Sequence, residues 1–366
     1  MRMAIVGAGN AGCITALHYN KYLREEKIVD DYQIDIYHSP EEHPIERVGQ
    51  GTINTPIELI FAELGLNWYN NPIDPTFKGG ILYEGWGKKD CDFFHGSAAM
   101  LMHFVPQKLS KAVLESGYFN VVEKTITDPE EEIDADVIFD CRGRHNRDKS
   151  NYDTLVNPLN SVLLYQKEGR DPNLLYTRSV ATPNGWTFVI PNVDSVSYGY
   201  LYNNTITSRE DAIDDFLDRF DLPKIDGELN FENYIAKNMF VGRRTVLQGN
   251  RYGFIEPFEA NALGVYQSIA RQSWDGIFGI KDLSVCNAKM RLIMKEIETF
   301  ILWNYQQGSK YNTPFWEYAK SLSFNLDKRF SILLSDSDKF EKLYHQKGYG
   351  QWGVWSIEAF KKHYLE

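Results

Sequence analysis

The chain has 366 residues, 43% of them hydrophobic, and 39 basic against 50 acidic side chains give it a net charge of −11. That length and apolar share fit two domains' worth of core, or one intertwined unit. Phosphate binding along a nucleic acid needs a clustered positive field, so outnumbered and dispersed cations disfavour nucleic acid as a partner.

The first element is a strand over Met3-Ala4-Ile5-Val6, followed at once by Gly7-Ala8-Gly9-Asn10-Ala11-Gly12 and a helix-compatible stretch from Ala11 to about Arg24. Strand, glycine turn and helix in that order form a dinucleotide fingerprint. Gly7 permits the tight turn, Gly9 lets the backbone approach a pyrophosphate, and Gly12 allows close helix packing while the helix N-terminus faces the anion. A second strand, Tyr32-Gln33-Ile34-Asp35-Ile36-Tyr37, leads to His38, where an acidic residue for the adenosine ribose is usual; His38 itself, Glu41 or Glu42 can serve that hydroxyl. Residues 1 to about 60 thus read as a βαβ-like unit ending in the glycine-bracketed loop Arg47-Val48-Gly49-Gln50-Gly51-Thr52.

Phe77 to Trp86 and Asn160 to Tyr202 are rich in β-branched and aromatic residues and predict strands of a second layer. Between them, Pro106 to Leu114 predicts a helix, the run Asp128-Pro129-Glu130-Glu131-Glu132 a solvated loop, and Ala135-Asp136-Val137-Ile138-Phe139-Asp140 a buried strand. From Leu283 onward the pattern is mostly helical, with Leu292, Ile293, Ile297, Phe300 and Ile301 at helical spacing. No Pro-, Gly- or Ser-rich stretch marks a boundary, so cofactor and substrate parts are expected to interleave. Cys13, Cys91, Cys141 and Cys286 show no C-x-x-C spacing, which fits reduced, buried thiols rather than a zinc site or a disulfide framework. The eight histidines form no H-E-x-x-H pattern, and no metal is expected. Met1 leads straight into a strand and no apolar run approaches membrane-spanning length, so the expectation is a cytoplasmic protein without a signal peptide or membrane segment.

Five short runs then line up with one family. Gly49-Gln50-Gly51-Thr52-Ile53-Asn54-Thr55-Pro56 is similar to a GVGEATVP loop, Ala135 to Gly143 to an ADxxxDxxG segment, and Lys78 sits in an FKxG setting. Trp186-Thr187-Phe188-Val189-Ile190-Pro191 stands in the place of WxWxIP, and Glu256-Pro257-Phe258-Glu259-Ala260-Asn261 is similar to EPLEST or EPLEAT. With the fingerprint ahead of them, the chain resembles the flavin-dependent halogenases of the tryptophan-halogenase type from Met1 to about residue 275, with a shortened carboxyl-terminal region. Phe188 replaces the second tryptophan of the signature, which keeps an aromatic surface but loses an indole N–H. Phe258 replaces leucine, and Asn261 and Ala262 stand where hydroxyl residues or glycine are common, so halide preference is expected to differ.

The resemblance implies an α/β fold of mixed α+β character: a Rossmann-type FAD-binding domain like that of FAD monooxygenases, interleaved with a β-sheet substrate region and a helical carboxyl-terminal part. FAD-binding segments would fall at about 1–60, 95–150 and 236–282, the substrate-side sheet at about 61–94 and 151–235, and the helical region at 283–366, as one intertwined unit. It further implies that reduced FAD and oxygen oxidise chloride, bromide or iodide to hypohalous acid, which Lys78 passes on as a haloamine or a hydrogen-bond donor to an indole- or phenol-type substrate. Glu259 would be the general base. Cofactor residues would be Gly7, Gly9, Asn10, Ala11, Gly12, His38, Gly49, Gly51, Thr52, Gly249 and Asn250. Halide would lie at the main chain of Asn261 and Ala262, with Trp186, Phe188, Ile190 and Pro191 walling the channel. His95 and His103 border the substrate region, more simply as core or pocket-wall side chains. No second fingerprint for a nicotinamide is present, so a separate flavin reductase is the expected partner; a homo-oligomer stays open. Taken singly, a strand lysine is ordinarily solvated and Trp186 and Phe188 alternate as core residues do. A flavin hydroxylase and a non-catalytic flavoprotein are the other classes, but neither has a use for Lys78 and Glu259 together.

Overall fold

The computed structural model describes residues 1–40, 48–52, 54–88, 92–144, 146–324 and 326–366. Glu41, Glu42 and Cys91 lie outside the described residues. The chain divides into two compact units, one made of Met1–Thr76, Leu101–Thr154 and Tyr234–Arg291, the other of Phe77–Met100, Leu155–Asn233 and Leu292–Glu366.

The first unit is organised by a sheet in the order Phe240–Val241, Thr245–Leu247, Val137–Asp140, Arg2–Val6, Gln33–His38, Asn120–Glu123. All pairings are parallel except the Phe240–Val241 edge. Strands covered on both faces need continuous apolar runs, and Met3-Ala4-Ile5-Val6 and Val137-Ile138-Phe139 supply them, all buried. The helix Asn10–Glu25 follows the first strand and buries Ile14, Leu17, Tyr19 and Leu23. Against it packs the helix Ala262–Ile277, joined by a bond of 2.8 Å between the Tyr19 and Ser273 hydroxyls and by the Tyr19–Trp274 ring pair at 5.5 Å. A small antiparallel sheet of Gly253–Phe254, Tyr234–Ala236 and Tyr152–Thr154 completes the unit. The helix predicted over Pro106 to Leu114 is present with those bounds.

The acidic run is solvated, as its charge suggested, with Asp128, Glu131 and Glu132 exposed, but it forms a short helix and not a loop. Asp128 caps a short helix, Pro129–Glu132, by accepting from Glu130 N–H. Glu130 bonds the Thr245 hydroxyl, and Glu132 accepts from the N–H groups of Thr127 and Asp128 at 2.8 Å each. Charge density alone hides such local partners, because a side-chain carboxylate can order nearby backbone N–H groups while it stays in solvent.

In the second unit the sheet runs Gly227–Asn230, Ser161–Glu168, Ser195–Tyr202, Gly185–Pro191, Thr177–Thr182, Thr76–Glu84 and the strand beginning at Phe93. The four-strand core from Ser161 to Tyr202 is antiparallel, while Thr177–Thr182 pairs in parallel with Thr76–Glu84. Helix Arg209–Phe220, capped by Ser208, covers one face and closes a cluster of Leu163, Tyr200, Tyr202, Ala212, Phe216 and Leu222. Alternation puts Trp186 and Phe188 on the other face. Two indole N–H groups tie further aromatic rings to the sheet, Trp86 to Ser179 O at 3.0 Å and Trp316 to Thr182 O at 2.7 Å. The carboxyl-terminal helices Pro314–Ser321, Lys328–Ser335, Ser337–Tyr344 and Val354–Leu365 confirm the helical pattern, interrupted by a short hairpin of Gly348–Tyr349 and Trp352–Gly353.

Among the described residues no helix is long and apolar enough to cross a membrane.

Candidate active site

The fingerprint folds as a tight turn that only glycine permits. Gly7 has φ +108°, and a Cβ there would lie 2.8 Å from Cys141 O; at Gly12 a Cβ would fall 1.9 Å from Gly7 O. The first intrahelical bond runs from Cys13 N–H to Gly9 O at 3.0 Å, and Gly9 caps the helix without a side chain. The N–H groups of Asn10, Ala11 and Gly12 therefore have no helical partner and form a ready anion cradle. This cradle fits the diphosphate of a dinucleotide.

Other cofactor candidates of the first unit gather around it. Asn10 donates to Gln50 Oε1 at 2.7 Å, which ties the helix start to the Gly49–Thr52 loop. Gly51 pairs with His103, and Thr52 exchanges bonds with Met102. Gly249 presses on Ala11, since a Cβ at 249 would lie 2.3 Å from Ala11 Cβ, and Asn250 Oδ1 accepts from Tyr266 OH at 3.0 Å. His38 ends the second parallel strand, half-buried. His103 is fully buried in this unit, apart from the unit that holds His95.

Glu259, Asn261 and Ala262 also belong to the first unit. Glu259 and Ala260 stand at φ +65° and +51°, consecutive non-glycine residues in the left-handed region. Each such residue costs on the order of 1 kcal/mol, and strain of this kind collects at functional loops. Asn261 Nδ2 donates to Phe258 O at 2.9 Å, so its side chain braces the strained loop instead of capping the helix. The first helical bond is Val265 N–H to Asn261 O at 3.1 Å. The N–H groups of Ala262, Leu263 and Gly264 thus precede the helical ladder, as they would for a small anion.

The second unit holds Lys78, His95 and the Trp186 to Pro191 strand. On Thr76–Glu84 the usual pattern is inverted: Phe77 is 46% exposed and Lys78 only 2%. A lysine taken out of water that far is rare unless the site needs it. His95 lies near it, and burial together with the Lys78 charge pushes the imidazole down to about 4. The ring is flanked by Trp355 at 5.5 Å and Phe360 at 5.1 Å, with Nε2 at 2.9 Å from Ser356 Oγ. Trp186, Phe188, Ile190 and Pro191 are all buried, the first two with ring centroids 6.3 Å apart. Phe188 is seated over Gly199, its register partner on Ser195–Tyr202, where a Cβ would fall 2.0 Å from the ring. Sequence reading missed Ser356 and Gln50; nothing in a distant serine or an ordinary loop glutamine announces a contact across the chain.

The tryptophan halogenase family profile matches residues 2–116 and 111–351. Among curated relatives, the tryptophan 6-halogenase ThaL of Streptomyces albogriseolus is 25% identical over 163 residues, 43% of this chain and 30% of that protein. The tryptophan 6-halogenase SttH of Streptomyces toxytricini is 22% identical over 272 residues, 66% of this chain and 50% of that protein. The matched stretches thus span about a third to a half of these relatives' length. In three dimensions the chain is similar to the crystal structure of SttH, with a TM-score of 0.78 at 17% identity over 98% of this chain and 89% of that one. It is also similar to Xcc4156, a flavin-dependent halogenase from Xanthomonas campestris, with a TM-score of 0.77 at 18% identity over 91% and 83% of the two chains. At such identities these likenesses establish the fold.

Proposed function

The chain belongs to the tryptophan halogenase family, and on that footing we propose that it is a flavin-dependent halogenase acting on an electron-rich aromatic substrate of the indole or phenol type. The observation that carries this reading is Lys78, an amine buried to 2% exposure on a strand whose apolar neighbour points out. Reduced FAD, with oxygen, would supply the oxidising equivalent that turns halide into hypohalous acid. The Asn10 to Gly12 amides would hold the diphosphate, and the Ala262 to Gly264 amides the halide, each through main-chain donors. Lys78 would receive the hypohalous acid, either as a hydrogen-bond donor or by forming an N–halogen bond with release of water. Glu259 would take the proton from the halogenated ring. Trp186 and Phe188 would keep the substrate from direct contact with the flavin, and His95, held neutral, would border the substrate. Reduced flavin would come from a separate reductase in the cytoplasm.

The test supplies FAD, a flavin reductase, NADH and an indole or phenol with each halide in turn, and compares wild type with Lys78→Ala by mass spectrometry. Catalase and a hypohalous-acid scavenger control for reaction in free solution. A halogen mass shift that disappears in Lys78→Ala supports the reading. A halide-independent oxygen mass shift overturns it in favour of a hydroxylase.

A further inference from the structure

Within the first unit, four arginines, Arg142, Arg144, Arg147 and Arg251, gather near the strand that ends at Asp140. Asp140 is shared by two of them: Arg142 reaches it with Nε at 2.9 Å and Nη2 at 2.8 Å, and Arg251 with Nε at 3.0 Å. Arg147 lies 3.4 Å above the Tyr234 ring and 5.2 Å from that of Tyr152. Arg144 rests 5.7 Å over Phe254, half-buried, with no hydrogen bond or ion pair among the described residues. Burial and the neighbouring Arg147 charge hold its pKa below the usual arginine range. In a chain of net charge −11, a cation left uncompensated in a partly dry place points to an anion that arrives from outside.

Two independent contact paths lead from this cation to the open helix start. Along the chain, Cys141 donates its N–H to Val6 O at 2.9 Å and sets its carbonyl against Gly7, three residues before Arg144. Across the unit, Tyr234 under Arg147 donates its hydroxyl to Asn250 O, next to Gly249, which presses on Ala11 in the first turn of the helix. The segment carrying Arg144 is therefore tied by these contacts to the glycine turn and to the first turn of the helix that holds the cradle of N–H groups.

Resting on the FAD reading above, we infer that Arg144 is a phosphate-binding residue whose guanidinium takes a diphosphate oxygen of the bound dinucleotide, with Arg147 adding its field alongside. A planar fork of donors suits such an oxyanion. The glycine turn provides the neutral N–H groups, and Arg144 provides charge.

The experiment titrates the full chain with FAD and with riboflavin, which has the isoalloxazine and ribityl parts but no phosphate. Wild type, Arg144→Gln and Arg144→Lys are compared by calorimetry, and the thermal midpoint of each is recorded without flavin. Arg144→Gln should bind FAD roughly ten- to a hundredfold more weakly, the span expected for one lost charge-assisted hydrogen bond. Arg144→Lys should lose less, riboflavin affinity should stay level, and the flavin-free midpoint should hold or rise, because an uncompensated charge has been removed. Equal FAD affinity in Arg144→Gln overturns the inference while leaving the FAD reading intact. A matching loss for riboflavin with a lowered flavin-free midpoint also overturns it, as a packing role. Wild type that binds no FAD sinks the FAD reading and this inference together.

Discussion

The two units differ in what the proposed chemistry draws from each, mostly main-chain donors in the first, beside the side chains of Glu259 and Arg144, and buried side chains in the second. The first leaves main-chain N–H groups open at the starts of the helices Asn10–Glu25 and Ala262–Ile277, the proposed anion positions, with glycine or a turned-away asparagine where a capping side chain would stand. The second sets a buried side-chain amine, Lys78, and a neutral imidazole, His95, on a sheet that also carries the buried rings of Trp186 and Phe188. Main-chain sites tolerate side-chain replacement because the donors remain. Side-chain sites do not, and they depend on the packing that holds each group dry.

The comparison breaks first at Lys78. Lys78→Ala should lower halogenated product by at least about a hundredfold, the range for a positioned catalytic side chain, and product quantified per bound flavin checks it. A loss of under about threefold would remove the side-chain half of the contrast.

Histidine protonation sharpens it next. His18 and His95 are both pushed down to about 4 from 6.5, in each case by burial first, with Lys21 and Arg271 adding to the effect on His18 and Lys78 on His95. The folded chain holds both neutral while the unfolded chain protonates near 6.5, so the stability present above that pH falls as pH drops from about 6.5 toward 4. Each ring contributes up to roughly 3 kcal/mol at the acid end by the usual conversion of a pKa shift to free energy. Neither nitrogen of His18 has a hydrogen-bond partner among the described residues. His18→Leu should therefore flatten the acid limb of a denaturation series without loss at pH 7; an unchanged limb would contradict the assignment.

Packing of the aromatic strand comes third. Gly199→Val should destabilise by about 2 kcal/mol, in the range for overpacking, with a lowered thermal midpoint and displaced Phe188. The smallest effect belongs to the main-chain site. Asn261→Ala removes one bond to Phe258 O and should cost about 1 kcal/mol, with halide still consumed. Restoring Leu at 258, Thr at 261 and Gly at 262 should shift the chloride, bromide and iodide product ratios, and unchanged ratios would mean that these positions do not set halide choice.

What could be read in advance follows the same division. The turn from Gly7 to Gly12 and the strand before it are local, and a six-residue pattern suffices to specify them. The Pro106 helix and the buried strand up to Asp140 were likewise plain from periodicity. Burial of Lys78 was hidden, because an F-K-G-G run inside a strand looks the same whether lysine faces water or core. The left-handed pair Glu259 and Ala260 was equally hidden, since neither residue type favours that region. His95 meets Ser356 across 261 positions, a separation no window of sequence spans. In the run Asp128 to Glu132 the solvation was legible but the short helix was not, since its cap and partners are local hydrogen bonds that composition does not show.

Phe188 over Gly199 has a consequence for anyone reshaping this protein. The ring occupies the volume that a side chain on the neighbouring strand would fill, so the two positions behave as one mutational unit. A library that randomises 188 alone explores only what an empty 199 accepts. A smaller residue at 188 leaves room that alanine or serine at 199 can reclaim, and varying both codons together reaches those combinations without first overpacking 199 against the ring.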